Sequence, residues 1–342
     1  MAKHDKILLM KVGRRAIASE NLPNNWENLD INKLTVPKGK CMFVFGGNTT
    51  NRLDAGNGNA KIMESLLSDD NLGKTNIFSF VYENEPFGSD RLMSRDYIEE
   101  THILFEKTFK PILFDKKGNM KEMKGIEQEF GKIVFAGHCG GSCFVNIIIN
   151  DFYDVLLAKY PPKTAELLIN KIQYFGYAPI EIIDHNVNGL IISPLIDSTY
   201  NWSKTLVVAE EQKVDIDYPK GIIKKLLKAR QRDKFRSTML AEYEERRAIM
   251  FKVGNKTYMI PGQMNPDKGV GDHTIECISK SKFLNSGTDY QTTARIANFA
   301  SRLFVNGFLE NGNLDTKKAF NIVSEKLDGK LKIKEEETIE TA

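Results

Sequence analysis

A chain of 342 residues, 41% hydrophobic and 27% charged, can fill a sizeable core, which excludes a disordered or fibrous protein. Its 48 Lys and Arg against 45 Asp and Glu leave a formal charge of +3, too little to argue nucleic-acid binding from net charge. The four cysteines, Cys41, Cys139, Cys143 and Cys277, are too irregularly spaced for a disulfide framework and form no C-x-x-C pair for zinc, so they read as free thiols in a reducing compartment.

At the N-terminus the apolar run Ile7 to Met10 is interrupted by Lys11, Arg14 and Arg15, too short for a signal-peptide core. No stretch approaches the roughly eighteen apolar residues of a membrane span. The expectation is a soluble chain, cytoplasmic or exported without an N-terminal signal. Lys40 to Phe45 reads as a strand ended by Gly46-Gly47, Asn59 to Leu67 has helical spacing, and Asn76 to Tyr82 reads as a strand stopped near Pro86. Arg95 to Phe109 is helical, Lys132 to Ala136 a strand, and Ser142 to Tyr160 a long apolar helix cut off by Pro161-Pro162. Lys171 to Tyr177 and Gly189 to Leu195 add two strands.

Strands recurring between helices imply βαβ units, hence a three-layer α/β architecture with a mostly parallel sheet. The rhythm breaks from Trp202 to Phe251, where the charge-rich helical stretch Lys220 to Met250 reads as an insertion. It resumes with a strand at Lys256 to Ile260 and an amphipathic helix at Thr292 to Phe308. The sequence thus divides into a core from 1 to 201, an insertion from 202 to 251, a returning core from 252 to 324 and a charged, disordered tail from 325 to 342. Neither Gly56-Asn57-Gly58 nor Gly73-Lys74-Thr75 meets the requirements of a dinucleotide or phosphate loop, so no cofactor is expected, and no metal site is indicated.

The segment that carries chemistry is Gly137-His138-Cys139-Gly140-Gly141, set between an apolar strand and a long helix. A strand turning directly into a helix forces its central residue into a strained conformation and leaves no room for side chains two positions either side. Cys139 then projects above the sheet beside the first turn of a helix, whose free N–H groups and dipole favour a thiolate and a developing oxyanion. The competing reading is an ordinary tight turn with a buried thiol. Cys143, one helical turn on, and His138, beside the thiol, read as packing residues.

This segment, in its strand and helix order, resembles the nucleophile elbow of the α/β-hydrolase superfamily, in the cysteine-nucleophile variant of dienelactone hydrolases. The resemblance spans about Lys40 to Phe308 in element order, but only the five elbow residues are specific. It implies a hydrolase or acyl transferase acting on an ester, thioester or related acyl bond of a small-molecule or lipid-like substrate. In that family acid and base follow the nucleophile, which implies His273, in Gly271-Asp272-His273, as general base and Asp197, after the strand Gly189 to Leu195, as its orienting acid, with Asp184 and Asp272 as the other acids. The family's oxyanion hole maps onto the Gly140 amide and the loop Gly46-Gly47-Asn48, with Gly47 and Asn48 both open as second donor.

The insertion concentrates Lys220, Lys224, Lys225, Lys228, Arg230, Arg232, Lys234 and Arg236 around one acid, Asp233. Such a run is an ordinary solvated helix face, or else, in a lid over the site, Lys224, Lys225, Lys228 and Arg232 hold an anionic or phosphate-bearing group. Without interleaved aromatics it does not suggest nucleic acid. Two other functions compete. One is an inactive hydrolase-fold binding protein docking an acidic partner; its glutamate-rich tail resembles the C-terminal signals of secreted bacterial effectors. The other is a caspase-like Cys–His protease, which wants a cysteine at the end of the strand after His138.

Overall fold

The computed structural model describes residues 7–11, 36, 38–47, 53–82, 86, 93–180, 183–194, 248–253, 256–261, 278, 290–312, 314–315, 318–319 and 321–322. Eight strands form one sheet: β1 (Ile7–Lys11), β2 (Lys40–Phe45), β3 (Thr75–Tyr82), β4 (Ile133–His138), β5 (Gln173–Tyr177), β6 (Asn188–Pro194), β7 (Ala248–Val253) and β8 (Lys256–Pro261). Their spatial order is β1-β3-β2-β4-β5-β6-β7-β8. The five central strands, β3 to β6 in that order, run parallel, while β1 and the β7–β8 hairpin pair antiparallel at the two ends.

The helices are α1 (Leu53–Leu66), α2 (Asp69–Leu72), α3 (Arg95–Leu104), α4 (Met123–Phe130), α5 (Gly141–Leu157), α6 (Pro162–Ile169) and α7 (Tyr290–Asn311). Alternation along each buried strand supplies two cores, because successive side chains leave opposite faces. Cys41, Phe43 and Phe45 of β2 join Phe78, Phe80 and Phe135 under α3, α4, α5 and α6. Met42 and Val44 of β2 join Ile77, Val134, Ala136 and Leu190 under α1 and α7. The first face is an aromatic stack: Phe45 on Phe80 at 4.1 Å, Phe43 on Phe78 at 5.0 Å, Tyr82 on Phe144 at 4.7 Å. The second is chiefly aliphatic.

The three-layer α/β architecture follows from these two coverings. From β2 the chain crosses through α1 to β3 on one side, whereas from β4 it crosses through α5 and α6 to β5 on the other. Crossovers of one hand that travel in opposite directions land on opposite faces of the sheet, as α1 and α5 do. The order therefore reverses between β2 and β4, and it is outside the carboxyl ends of the strands at such a switch point that open α/β sheets bind ligands.

Several expectations shift in detail. Arg95–Phe109 is α-helical only to Leu104; Phe105–Phe109 forms a π turn and Lys110–Leu113 a 3₁₀ turn that carries the segment past Pro111. Ala248–Ile249–Met250, read as the end of a charged helix, is the start of β7, which crosses the boundary drawn at residue 251. Its AIMFKV sequence is a short, largely apolar run suited to pairing between β6 and β8. The rest of the insertion and the tail from 325 onward lie outside the described residues. Among the described residues, no helix is long and apolar enough to cross a membrane.

Candidate active site

Cys139 follows the last residue of β4 and stands two residues before the start of α5, at φ +52°. A non-glycine residue in the left-handed region carries about 1–2 kcal/mol of strain and persists only where its surroundings hold it. Here its N–H donates to the Tyr177 carbonyl at 3.2 Å. Its own carbonyl accepts from the Ser142 N–H at 3.2 Å, the Ser142 hydroxyl at 2.8 Å and the Ile180 N–H at 3.2 Å. Ala178, at the end of neighbouring β5, is the second left-handed non-glycine residue described, at φ +43°, and its N–H donates to Ile192 O. Two adjacent parallel strands thus end in strained turns on the same edge of the sheet.

The glycines of the segment are required by what surrounds them. A Cβ on Gly141 would stand 2.0 Å from the Phe45 carbonyl oxygen, so α5 begins in direct contact with the end of β2. A Cβ on Gly137 would meet Ser142 Cα and N at 3.2 Å and the Tyr174 hydroxyl oxygen at 3.0 Å. Tyr174 lies flat over Gly176 as well, the residue paired with Gly137 across β4 and β5. The two strand glycines make room for this ring, which sequence reading missed because its cause is cross-strand.

Gly47, just past β2, packs against the turn from the other side: a Cβ there would lie 2.8 Å from Cys139 Cβ and 3.1 Å from Cys139 Sγ. The strand-to-helix turn at Cys139 and the Gly46-Gly47 loop, far apart in the sequence, therefore touch. Cys139 is partly exposed, whereas Cys41 and Cys143 are buried in the aromatic core. At the head of α5 the Gly140 and Gly141 N–H groups reach no backbone carbonyl among the described residues, as expected of a first helical turn.

Of the remaining site residues, His273, Asp197, Asp272, Asn48 and the cations Lys224, Lys225, Lys228 and Arg232 lie outside the described residues. Asp184 is described, on the loop between β5 and β6. Its Oδ2 accepts from the side-chain amides of Asn146 and Asn150 on α5, both at 3.0 Å, and its N–H donates to Asn146 Oδ1 at 2.9 Å. This clamp holds the β5–β6 loop, whose Ile180 supports Cys139, against the helix. Asp184→Ala is expected to lower the unfolding free energy by about 1–2 kcal/mol, as for bonds to a charged acceptor near the surface, checked by urea denaturation. An unchanged midpoint would show that the clamp contributes nothing.

The other described histidines have partners of their own. His102 Nδ1 on α3 meets both carboxylate oxygens of Asp151 on α5, at 2.8 and 2.9 Å, about 15 Å along α5 from its N-terminus at 1.5 Å per residue. Burial raises the Asp151 carboxyl above the usual range, opposed by His102 and reinforced by Asp154 and Glu106. His185 Nδ1 meets Glu166 of α6 at 2.8 Å and packs on Tyr153. His138 pairs with Tyr177 on β5, its ring 5.9 Å away, so a tyrosine stands where the caspase-like arrangement needs its cysteine. Among the described residues, no three histidine, cysteine or acidic side chains cluster closely enough to hold a metal.

Chemically, the described residues place a strained, partly exposed Cys139 beside the first turn of α5, with Gly47 against its sulfur. Comparison with protein-family models, with curated proteins and with solved structures gives no match to this chain.

Proposed function

We propose that this protein is a hydrolase or acyl transferase of α/β-hydrolase type that uses Cys139 as nucleophile on an ester, thioester or related acyl bond. The observation that carries the reading is the left-handed Cys139 at a strand-to-helix turn, at the point where the strand order reverses, with Gly47 against its sulfur. Strain held in place by four hydrogen bonds at a switch point of the sheet is the kind that functional sites retain.

In the proposed reaction the Cys139 sulfur bonds to the acyl carbon, and the carbonyl π pair moves onto oxygen, facing the Gly140 amide and an amide of the Gly47 loop. His273, oriented by Asp197, takes the thiol proton and returns it to the leaving group as the carbon–heteroatom bond breaks. Water then releases the acid, or an acceptor takes the acyl group, and the thiol is restored. The substrate is a small or lipid-like acyl compound; the insertion from 202 to the residue before β7, as a lid, would bring Lys224, Lys225, Lys228 and Arg232 to an anionic head group.

The test is intact-mass spectrometry after exposure to p-nitrophenyl acetate. Wild type is expected to gain one acetyl group and Cys139→Ala none. Equal labelling of the two proteins would end the assignment.

A further inference from the structure

The end of β3 holds a buried hydroxyl that the proposed chemistry does not use. The β2–β3 register pairs Phe45 with Phe80, which brings Tyr82, two residues beyond, alongside the Gly46-Gly47 loop. Tyr82 is fully buried and donates from its hydroxyl to the Gly46 carbonyl at 3.1 Å. Its ring is fixed on both sides, stacked on Phe144 of α5 at 4.7 Å and edge-on to Tyr97 of α3 at 6.0 Å. Burial, with Cys143, Tyr97 and Cys139 close by, keeps its hydroxyl pKa well above the ordinary value, so the group remains a donor.

No described peptide bond is cis. In a trans peptide the carbonyl of one residue and the N–H of the next point in opposite directions. A Gly46 carbonyl tied into the core beside Tyr82 and Gly141 therefore leaves the Gly47 N–H facing the other way, on the residue that rests against Cys139. We infer that Tyr82 is a positioning residue for the oxyanion: by holding the Gly46 carbonyl it turns the Gly47 N–H to the Cys139 side of the loop. The inference rests on the acyl-transfer reading above, and it commits to the Gly47 amide as the second donor.

Two reactions of the same thiol separate this role from a general effect on folding or thiol reactivity. Acylation by p-nitrophenyl acetate passes through an oxyanion before p-nitrophenolate leaves; alkylation by iodoacetamide displaces iodide and forms none. In Tyr82→Phe the rate of Cys139 acylation is expected to fall about tenfold, part of the roughly 10²–10³-fold cost of losing an oxyanion donor outright, with the alkylation rate unchanged. Phe144→Leu, which loosens the same ring but spares the hydroxyl, is expected to lower stability and leave the ratio of the two rates at the wild-type value.

Equal loss of both reactions in Tyr82→Phe, no loss of either, or the same fall in the ratio for Phe144→Leu would overturn the inference while the acyl-transfer reading stood. A wild-type thiol that alkylates but never acylates would remove that reading and the inference with it. If Tyr82→Phe does not fold, 3-fluorotyrosine at position 82 keeps packing and hydrogen bond with a more acidic donor; the expected ratio is at or above wild type, and a fall overturns the inference.

Discussion

Gly141→Ala is expected to destabilise the protein by about 3 kcal/mol or more, at the upper end of what overpacking costs and a large share of the roughly 5–15 kcal/mol of a typical domain. The added methyl would sit 2.0 Å from the Phe45 oxygen and 2.5 Å from its carbonyl carbon, and 2.9 Å from the Gly46 oxygen. All three are backbone atoms at the end of a central strand, so no side-chain rotation relieves the collision. Either α5 slides off β2 or the loop after β2 moves, and both withdraw the aromatic contacts of Phe144 with Phe45 and Tyr82. Gly73→Ala provides the contrast, since nothing lies within 4 Å of its Cβ and its φ is −80°. It is expected to be neutral or to stabilise by about 0.4–1 kcal/mol through the unfolded chain. Urea unfolding of both variants checks the pair, and a Gly141→Ala midpoint matching wild type would show that α5 does not start hard against β2.

Gly47→Ala is expected to lower the rate of Cys139 acylation about 10²-fold, the cost of misplacing reacting groups by about 1 Å. Its methyl would lie 2.8 Å from Cys139 Cβ, closer than side-chain carbons approach such atoms, and a tight 3.1 Å from Sγ. Cys139 Cβ cannot yield, because four hydrogen bonds hold the backbone of that residue. The Gly47 loop must retreat instead, taking its amide with it. Time courses by intact mass, with far-UV circular dichroism to show that the fold survives, decide the matter: a folded Gly47→Ala protein that acylates at the wild-type rate would remove Gly47 from the site.

Much of this arrangement was legible before any coordinates. The strands buried on both faces stand out as short apolar runs closed by glycine or proline, and β2, β3, β4, β5 and β6 fall within a few residues of where those runs lie. The elements missed are those with weak signals: β1 and β7 are five or six residues at the antiparallel ends of the sheet, and α4 and α6 span only eight residues each, too few turns to show a period. The tight turn at Cys139 was legible because glycines between an apolar strand and a long helix mark a cramped junction, although what crowds them, the Phe45 carbonyl at Gly141 and the Tyr174 ring at Gly137, is tertiary; the Gly46-Gly47 loop was legible because a glycine pair after a strand marks close backbone approach.

Tyr82 was not legible. A tyrosine ending an apolar strand looks the same whether its hydroxyl meets solvent or a carbonyl 36 residues away, and only the β2–β3 register makes it the latter. Tyr174 over Gly137 and the strain at Ala178 are invisible for the same reason. The α/β class, the central strands and the tight turn at Cys139 could be read from the chain because they depend on burial and backbone sterics within a few residues. That β2 lies between β3 and β4, that Gly47 rests against the thiol and that Asp184 Oδ2 binds α5 emerged from long-range packing alone. Those facts depend on strand order and register, where groups far apart in the chain meet with no periodicity to record it.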